Sequence, residues 1–232
     1  MAFAFEGRYS DSPFVDVIWR TESLSAGSFI STAQIHWGMV ITTYQGKTTL
    51  TVRGPETTAT PAPFPAGAEF FGIVFKLGTF MPHLPPKIVM NCNDLNLPEA
   101  SRGSVWLHGA SWEIPTFDNA DTFIARLVHD GLIVFDPIVD SVRQGCPPPL
   151  SIRTVQYRFQ QATGLTHQTI QQIERAQQAV SLLTRGTSIL DTVDAAGYYD
   201  QAHLTRALRR YMGQTPAQIM RVDQSAQSAQ SA

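Results

Sequence analysis

The hydrophobic pattern changes its period near Asp118, and this change constrains the fold more than any other feature. Upstream, short runs rich in β-branched and aromatic residues are separated by turn residues such as Gly46 and Gly54-Pro55, which is typical of β-strands. Downstream, apolar residues recur every three or four positions, as in amphipathic helices. This order predicts an all-β domain followed by an all-α domain. We place the two domains at residues 1–118 and 119–222.

The first half contains about six predicted strands, at the spacing of a sandwich or a small barrel. They span residues 14–21, 28–35, 37–44, 47–54, 69–76 and 103–109. Two Pro-rich segments, 60–67 and 81–87, cannot pair as central strands because proline has no N–H to donate. We therefore expect loops in both segments.

The second half contains six predicted helices and a short final turn after Pro216. The helices span about residues 119–130, 136–144, 151–163, 167–184, 188–196 and 200–212. N-caps are predicted at Ser151, Ser188 and Asp200, and the glycines expected to end helices are Gly131, Gly164 and Gly197. The apolar stripe of the third helix is predicted to start at Ile152 and to end at Ala162. The polar tail at 223–232 is predicted to be disordered.

Charge is distributed unevenly along the chain, although its net value is only −2. Residues 1–120 carry 7 Lys and Arg against 10 Asp and Glu, a net charge of −3. Residues 151–211 carry 7 Arg against 4 Asp and Glu, a net charge of +3. Because the planar guanidinium group suits phosphates and guanine edges, this asymmetry points weakly to nucleic acid at the C-terminal end.

Several functional classes have no positive support in the sequence. The N-terminus lacks a basic region before an apolar stretch, and no window approaches the roughly 20 apolar residues of a spanning helix, so we expect a cytoplasmic protein without a signal peptide. Cys92 and Cys146 lack metal-ligand spacing and are interpreted as reduced thiols, with a single disulfide left open. No nucleophile elbow, phosphate-binding loop or dinucleotide fingerprint appears, so we expect neither an enzyme nor a cofactor.

The helical half contains one device twice: a short helix, a turn with glycine, and a second helix with a polar outer face. In helix-turn-helix modules the second helix enters the major groove of DNA. The outer-face side chains suited to base edges or phosphates are Arg153, Gln156, Tyr157, Gln201, His203, Thr205, Arg206 and Arg209. The intervening helix is about 27 Å long, enough to hold the two recognition helices about one DNA turn, roughly 34 Å, apart. Taken alone, each of these side chains could equally belong to an ordinary solvated helix face.

Three segments follow one known pattern. The most specific contains Ala196-Gly197-Tyr198, Asp200 to Leu204, Arg206, Tyr211, Gly213 and Thr215-Pro216; the others contain Leu150-Ser151, Arg153, Phe159 and Thr163-Gly164, and Ile173 to Ala176. Through these residues, 119–222 resembles the DNA-binding domain of the AraC/XylS family of bacterial transcription regulators. The sequence departs from that pattern at Tyr157, where an arginine is common, and at Ala202, which is too small for polar readout. The insert Cys146 to Pro149 also lengthens the first turn.

The resemblance implies a sequence-specific transcription regulator that binds double-stranded promoter or operator DNA on the bacterial nucleoid. By that resemblance, base and backbone contacts fall on Arg153, Gln156 and Tyr157 in the first module, and on Gln201, His203, Thr205 and Arg206 in the second. RNA polymerase, a small-molecule effector and a second copy of the chain stay open as further partners. The operator, and the choice between activation and repression, stay open as well.

The first half, in this context, resembles the cupin-like sensor domain that precedes such DNA-binding domains. Metal-binding cupins supply a His-x-His pair with a following Glu, and the histidines of this half lack that spacing, so we expect no metal. Five side chains are predicted either to line an effector pocket or to form plain core: Trp37, Met39, Phe71, Phe75 and Trp106. Two alternatives are a cupin-type binding protein or enzyme with a vestigial DNA-binding domain, and an N-terminal half that serves dimerisation alone.

Overall fold

The structure is a computed structural model that describes residues 3–91 and 94–221. Strands account for most of the N-terminal part and helices for most of residues 120–221, so the predicted order of a β part and an α part is confirmed. Cys92 and the tail predicted to be disordered, 223–232, lie outside the described residues.

The bounds of the described elements follow in chain order. The strands are β1 (Phe3–Tyr9), β2 (Val15–Ser23), β3 (Gly27–Ser31), β4 (Gly38–Tyr44), β5 (Lys47–Arg53), β6 (Thr60–Phe64), β7 (Glu69–Phe75), β8 (Thr79–Phe80), β9 (Leu95–Asn96), β10 (Glu99–Ser101), β11 (Ser104–Leu107), β12 (Ala110–Glu113) and β13 (Val134–Phe135). The helices are α1 (Pro86–Val89), α2 (Ala120–His129), α3 (Ile138–Arg143), α4 (Ile152–Thr163), α5 (His167–Thr184), α6 (Ile189–Ala195) and α7 (Gln201–Met212). Residues 216–221 are also helical.

Contacts between Cα atoms group the chain into two compact units. The larger unit contains the described residues up to 28, together with 35–55 and 63–167. The smaller unit contains 29–34, 56–62 and the described residues from 168 onward. The two units interleave along the sequence, whereas the predicted division at residue 118 is a single cut, and that division stays a prediction.

A six-stranded antiparallel sheet forms the base of the larger unit, in the order β1-β2-β7-β4-β5-β9. β4 and β5 are joined by a two-residue turn in which Gln45 and Gly46 both have positive φ angles, 51° and 75°. Turns of this kind match the right-handed twist of the flanking strands, so they allow β4 and β5 to pair along their length. A three-stranded sheet, β10-β11-β12, adds Val105, Leu107 and Trp112 to the core.

One face of the large sheet changes from apolar to charged along its strands. Residues two positions apart share a face, so the pairing register defines three successive rows across β2, β7, β4 and β5. These rows are Ile18, Ile73, Met39 and Val52; then Arg20, Phe71, Ile41 and Leu50; then Glu22, Glu69, Thr43 and Thr48. The first row is fully buried, and the glutamates of the last row are exposed. The polar end of this face is therefore open to a ligand, whereas the apolar end is core.

The helices of the first helix-turn-helix module, α3 and α4, belong to the larger unit. β13 pairs with β8, and the Asp136 N–H that follows β13 donates to the Gly78 carbonyl at 2.9 Å. The Asp136 side chain also contacts the start of α3, because its Oδ1 accepts from the Ile138 N–H at 3.0 Å. α4 begins at the predicted N-cap, Ser151, and ends at Gly164 in the left-handed conformation. The start of α3 is thus fixed to the turn before β8.

The smaller unit contains α5, α6 and α7, and its helix ends follow the sequence signals. α5 buries the stripe Ile170, Ile173, Ala176, Ala179 and Leu183. Ser188 accepts from the Asp191 N–H and Asp200 from the His203 N–H, so both predicted N-caps are confirmed. Because a side-chain oxygen at the N-cap satisfies an otherwise unpaired backbone N–H, these positions fix where α6 and α7 begin.

The segment 60–67 corrects one prediction, because its first part is a strand and not a loop. β6 pairs with β3 in a two-stranded ribbon, and its prolines, Pro61 and Pro63, are exposed. In such a ribbon each strand has one side without a partner, so a proline there removes no hydrogen bond. Residues that flank the ribbon in the smaller unit also cap α7: the Ala33 and Ala59 N–H groups donate to the Tyr211 and Arg210 carbonyls at 2.7 and 2.8 Å.

Ile152 corrects a second prediction. It was expected on the buried stripe of α4, but its side chain is 77% exposed, whereas Phe159 and Ala162 are buried as predicted. Ile152 is the first residue of α4, so the turn below it is absent and cannot cover it. α4 therefore presents an exposed apolar side chain beside its polar outer face.

Candidate nucleic-acid interface

The second module is built by two capped helices and a glycine turn. Gly197 has a φ angle of 68° in the turn between α6 and α7, a conformation that favours glycine. Leu204, Leu208 and Tyr211 bury one side of α7. The opposite side of α7 faces water. The packing of the buried side therefore decides which side chains of α7 are exposed.

The predicted reading residues of α7 lie on that exposed side, with one exception. Gln201, His203, Arg206 and Arg209 are exposed. Thr205 is half-buried, and its Oγ1 donates to the Gln201 carbonyl at 2.8 Å. The Thr205 hydroxyl proton is therefore used within the helix, and only its oxygen lone pairs remain for a partner.

The first module presents a different surface. Arg153, Gln156 and Tyr157 are all exposed on α4, and Tyr157 is 65% exposed. Together with Ile152 they form a mixed polar and apolar face. Apolar and aromatic side chains can contact the thymine methyl group in the major groove, so this face differs chemically from that of α7.

A bidentate ion pair fixes α4. Arg158 donates from Nε and Nη2 to the two carboxylate oxygens of Asp136, at 2.9 and 2.6 Å. These hydrogen bonds and the carboxylate charge raise the pKa of Arg158 above its ordinary value. Asp136 also accepts from the first N–H of α3 and donates its own N–H to the Gly78 carbonyl, so the orientation of α4 depends on the β part of the larger unit.

The two modules belong to different compact units. α3 and α4 lie in the larger unit, and α6 and α7 lie in the smaller one. The predicted separation of the recognition helices, about one turn of DNA, stays a prediction.

A cavity of about 750 Å³ lies at the polar end of the large sheet. Its apolar lining includes Ile41, Phe71 and Phe117, and its charged lining includes Arg20 and Glu6. Arg20 pairs with Glu6 at 2.6 Å, and its guanidinium lies 4.6 Å from the Phe117 ring centre. An aromatic wall beside charged groups can hold a small molecule with an apolar body and polar substituents.

The structure places the five predicted pocket residues in three different environments. Phe71 lines the cavity, and Trp37, Met39 and Phe75 are buried in the core outside its lining. Trp106 is 48% exposed, because it alternates with the buried Val105 and Leu107 on β11. The sequence pattern identified four of the five inward positions but not the outward position of Trp106, and it could not say which row of the sheet ends at open space.

Two histidines that are distant in sequence come together. The rings of His83 and His108 lie 4.8 Å apart, and burial lowers the pKa of His83 below its ordinary value, with His108 lowering it further. Within residues 3–91 and 94–221 there is no group of three or more His, Cys, Asp or Glu that could hold a metal ion. Cys146 is a free, exposed thiol.

Sequence reasoning missed a cleft between α5 and α7. Its lining includes Arg175, Tyr198 and Arg210, which were not predicted as site residues, and His203 and Arg206, which were. The sequence feature that could have indicated the cleft is Tyr198, because the hydroxyl of a buried tyrosine usually needs a hydrogen-bond partner.

Residues 149–221 match the family model described as a helix-turn-helix domain. No curated protein and no solved structure gives a significant match to the chain. No helix in the described part of the chain is long and apolar enough to cross a membrane.

Proposed function

We propose that this chain is a DNA-binding transcription regulator of the AraC type, since residues 149–221 match a helix-turn-helix domain, and we propose which residues read DNA and what the N-terminal half binds. Residues 119–222 act as the DNA-binding domain, and residues 1–118 act as a sensor domain. The observation that carries the first proposal is the exposed face of α7, which bears Gln201, His203, Arg206 and Arg209.

Each module contributes a distinct part of the readout. On α7, Arg206 and Gln201 contact base edges, His203 and the Thr205 oxygen add to them, and Arg209 contacts phosphate. On α4, Arg153 and Gln156 contact base edges, and Tyr157 adds an aromatic contact in place of a charge. Arginine contacts with phosphate supply affinity that falls with salt, and base contacts supply discrimination.

Binding selection from a random duplex library tests this proposal, with the full-length protein at two salt concentrations. We expect a motif with two blocks about one helical turn apart. Arg206→Ala should lose base preference inside one block, with a loss of about 1 to 3 kcal/mol of discrimination, because a bidentate arginine contact is worth that much.

Arg102→Ala is the matched control, since it removes the same charge from an exposed position between β10 and β11. It should leave the motif and the affinity unchanged. If Arg206→Ala selects the wild-type motif with wild-type affinity, Arg206 does not read DNA. If the wild-type protein selects no motif and releases DNA at the higher salt, the activity is nonspecific attraction to phosphate.

The cavity of the β part supports a second proposal, that a small molecule modulates DNA binding. Ile41, Phe71 and Phe117 provide an apolar wall, and Glu22 and Glu69 provide an adjacent polar edge. An apolar or aromatic molecule with a polar substituent matches both surfaces. Such an effector acts only if it binds one arrangement of the protein more tightly than another.

A further inference from the structure

The cleft between α5 and α7 has a volume of about 250 Å³ and lies wholly within the smaller unit. Its polar lining includes Gln172 and Arg175 of α5, Tyr198 of the glycine turn, and His203, Arg206, Arg210 and Tyr211 of α7. His203, Arg206 and Arg210 follow one another at the three- and four-residue spacing of a helix face. Three arginines therefore converge on one small space.

The three arginines have no carboxylate partner within the described residues. Arg175 makes one long hydrogen bond, from Nη1 to the Gly197 carbonyl at 3.5 Å, and its guanidinium lies 5.8 Å from the Tyr198 ring centre. Arg210 lies 5.1 Å from the Tyr211 ring centre. An anion in the cleft would therefore meet guanidinium groups that no carboxylate neutralises.

Tyr198 supplies the second, independent observation. Its side chain is 7% exposed, and its hydroxyl is buried without a hydrogen-bond partner among the described residues. Burial raises the pKa of Tyr198, with Arg175 acting in the opposite direction, so the hydroxyl keeps its proton at neutral pH. A buried hydroxyl without a partner costs free energy, and Tyr198 belongs to the lining of the cleft, so an acceptor bound there would satisfy this hydroxyl.

We propose that this cleft binds a phosphate group, and that the group is a backbone phosphate of DNA beside the groove that α7 reads. Guanidinium forks match the oxygen geometry of phosphate, and the Tyr198 hydroxyl provides a further donor. The assignment to DNA rests on the proposed function, because Arg206 and His203 belong both to the cleft and to the reading face of α7. Arg175, Tyr198 and Arg210 then hold the backbone and set the position of α7 in the groove.

DNA binding by full-length variants tests the proposal, using the selected operator and an unrelated duplex of equal length over a range of salt. Arg210→Gln and Arg175→Gln should each weaken binding to both duplexes by a similar factor, about tenfold, since a hydrogen bond to a charged group is lost. Each should also reduce the slope of log affinity against log salt by about 0.9, the value of one phosphate contact. Tyr198→Phe should weaken both duplexes without changing the slope, because it removes no charge.

Arg185→Gln is the matched control, because it removes an exposed arginine just after α5 that does not line the cleft. It should leave the affinity and the salt slope unchanged. Thermal unfolding of each variant separates loss of binding from loss of fold, and Arg175→Lys retains the charge if Arg175→Gln does not fold. Unchanged affinity and slope in folded Arg175→Gln, Arg210→Gln and Tyr198→Phe would overturn the proposal.

Titration with inorganic phosphate, without DNA, distinguishes the source of the phosphate. If phosphate stabilises the wild-type protein but not Arg210→Gln, while DNA affinity is the same in both, the cleft binds free phosphate and the assignment to DNA is overturned. If the wild-type protein binds no DNA, the proposed function fails, and the phosphate titration still reports whether the cleft binds phosphate.

Discussion

His83 is a residue whose charge is disfavoured by its surroundings. Both of its ring nitrogens are buried without a hydrogen-bond partner among the described residues, and its pKa is lowered by burial and then by His108. The unfolded chain takes up a proton near the ordinary histidine value, about 6.5, while the folded chain does so only at lower pH. The unfolded state therefore binds more protons in this interval, and stability is lost as the pH falls through it.

We expect the free energy of unfolding, measured with urea, to decrease below about pH 6.5, by less than about 1.4 kcal/mol per pH unit for this one proton. His83→Phe keeps a ring beside His108 and should flatten this dependence. His129→Gln changes an exposed histidine at the end of α2 and should leave the dependence as it is. An identical pH profile for the wild-type protein and His83→Phe would contradict the assignment.

The sequence predicted which side chains of α7 point outward, because helical periodicity alone decides this. It could not predict that the Thr205 hydroxyl bonds to its own helix, or that Tyr198 keeps an unpartnered hydroxyl. Both depend on rotamers and on neighbours that are distant in sequence. The cleft with Arg175 and Arg210 was missed for the same reason, since it forms only where α5 meets α7.

The glycine that ends α7 is required both by its backbone conformation and by a close contact with the ribbon. Gly213 has a φ angle of 71°, and a Cβ atom there would lie 2.6 Å from Ile30 Cγ2 on the ribbon. Gly197 has nearly the same φ angle, 68°, but a Cβ atom there would meet nothing within 4 Å. The pair of glycines separates backbone strain from steric crowding.

Gly197→Ala should cost about 1 kcal/mol of stability, because it places a side chain at a positive φ angle. Gly213→Ala should cost about 1 to 3 kcal/mol more, since it adds overpacking against the ribbon. Denaturant unfolding of the two variants measures the difference. Equal losses of stability would show that the ribbon shifts to accommodate the added methyl group without a free-energy cost.

Element boundaries in the helical half were predictable because caps and glycines are local signals, as at Ser151, Asp200 and Gly164. The β part was less predictable. β9 and β13 are only two residues long and pair with strands that are distant in the sequence, β5 and β8. β6 forms despite its prolines because a two-stranded ribbon tolerates them.

The whole molecule groups its parts differently from their order in the sequence. The cavity and the first module lie in the same compact unit, and Asp136 links α3 and α4 to the turn before β8. A linear pattern cannot predict this grouping, because it depends on contacts between strands and helices far apart in the chain. It gives the proposed effector a physical route: a molecule in the cavity can bias the unit that carries α4.

Substitutions on neighbouring residues of β4 test that route. Thr43 lines the cavity and Thr42 points to the opposite face of the sheet, so Thr43→Trp fills the cavity and Thr42→Trp is its control. Among aromatic and apolar compounds that raise the unfolding temperature, we expect one that stabilises the wild-type protein and Thr42→Trp but not Thr43→Trp. That compound should change affinity for the DNA block read by α4 more than for the block read by α7, because the cavity shares a unit with α4 alone. Equal stabilisation of both variants would place the compound elsewhere, and stabilisation without any change in DNA affinity would make the cavity a binding site without a regulatory role.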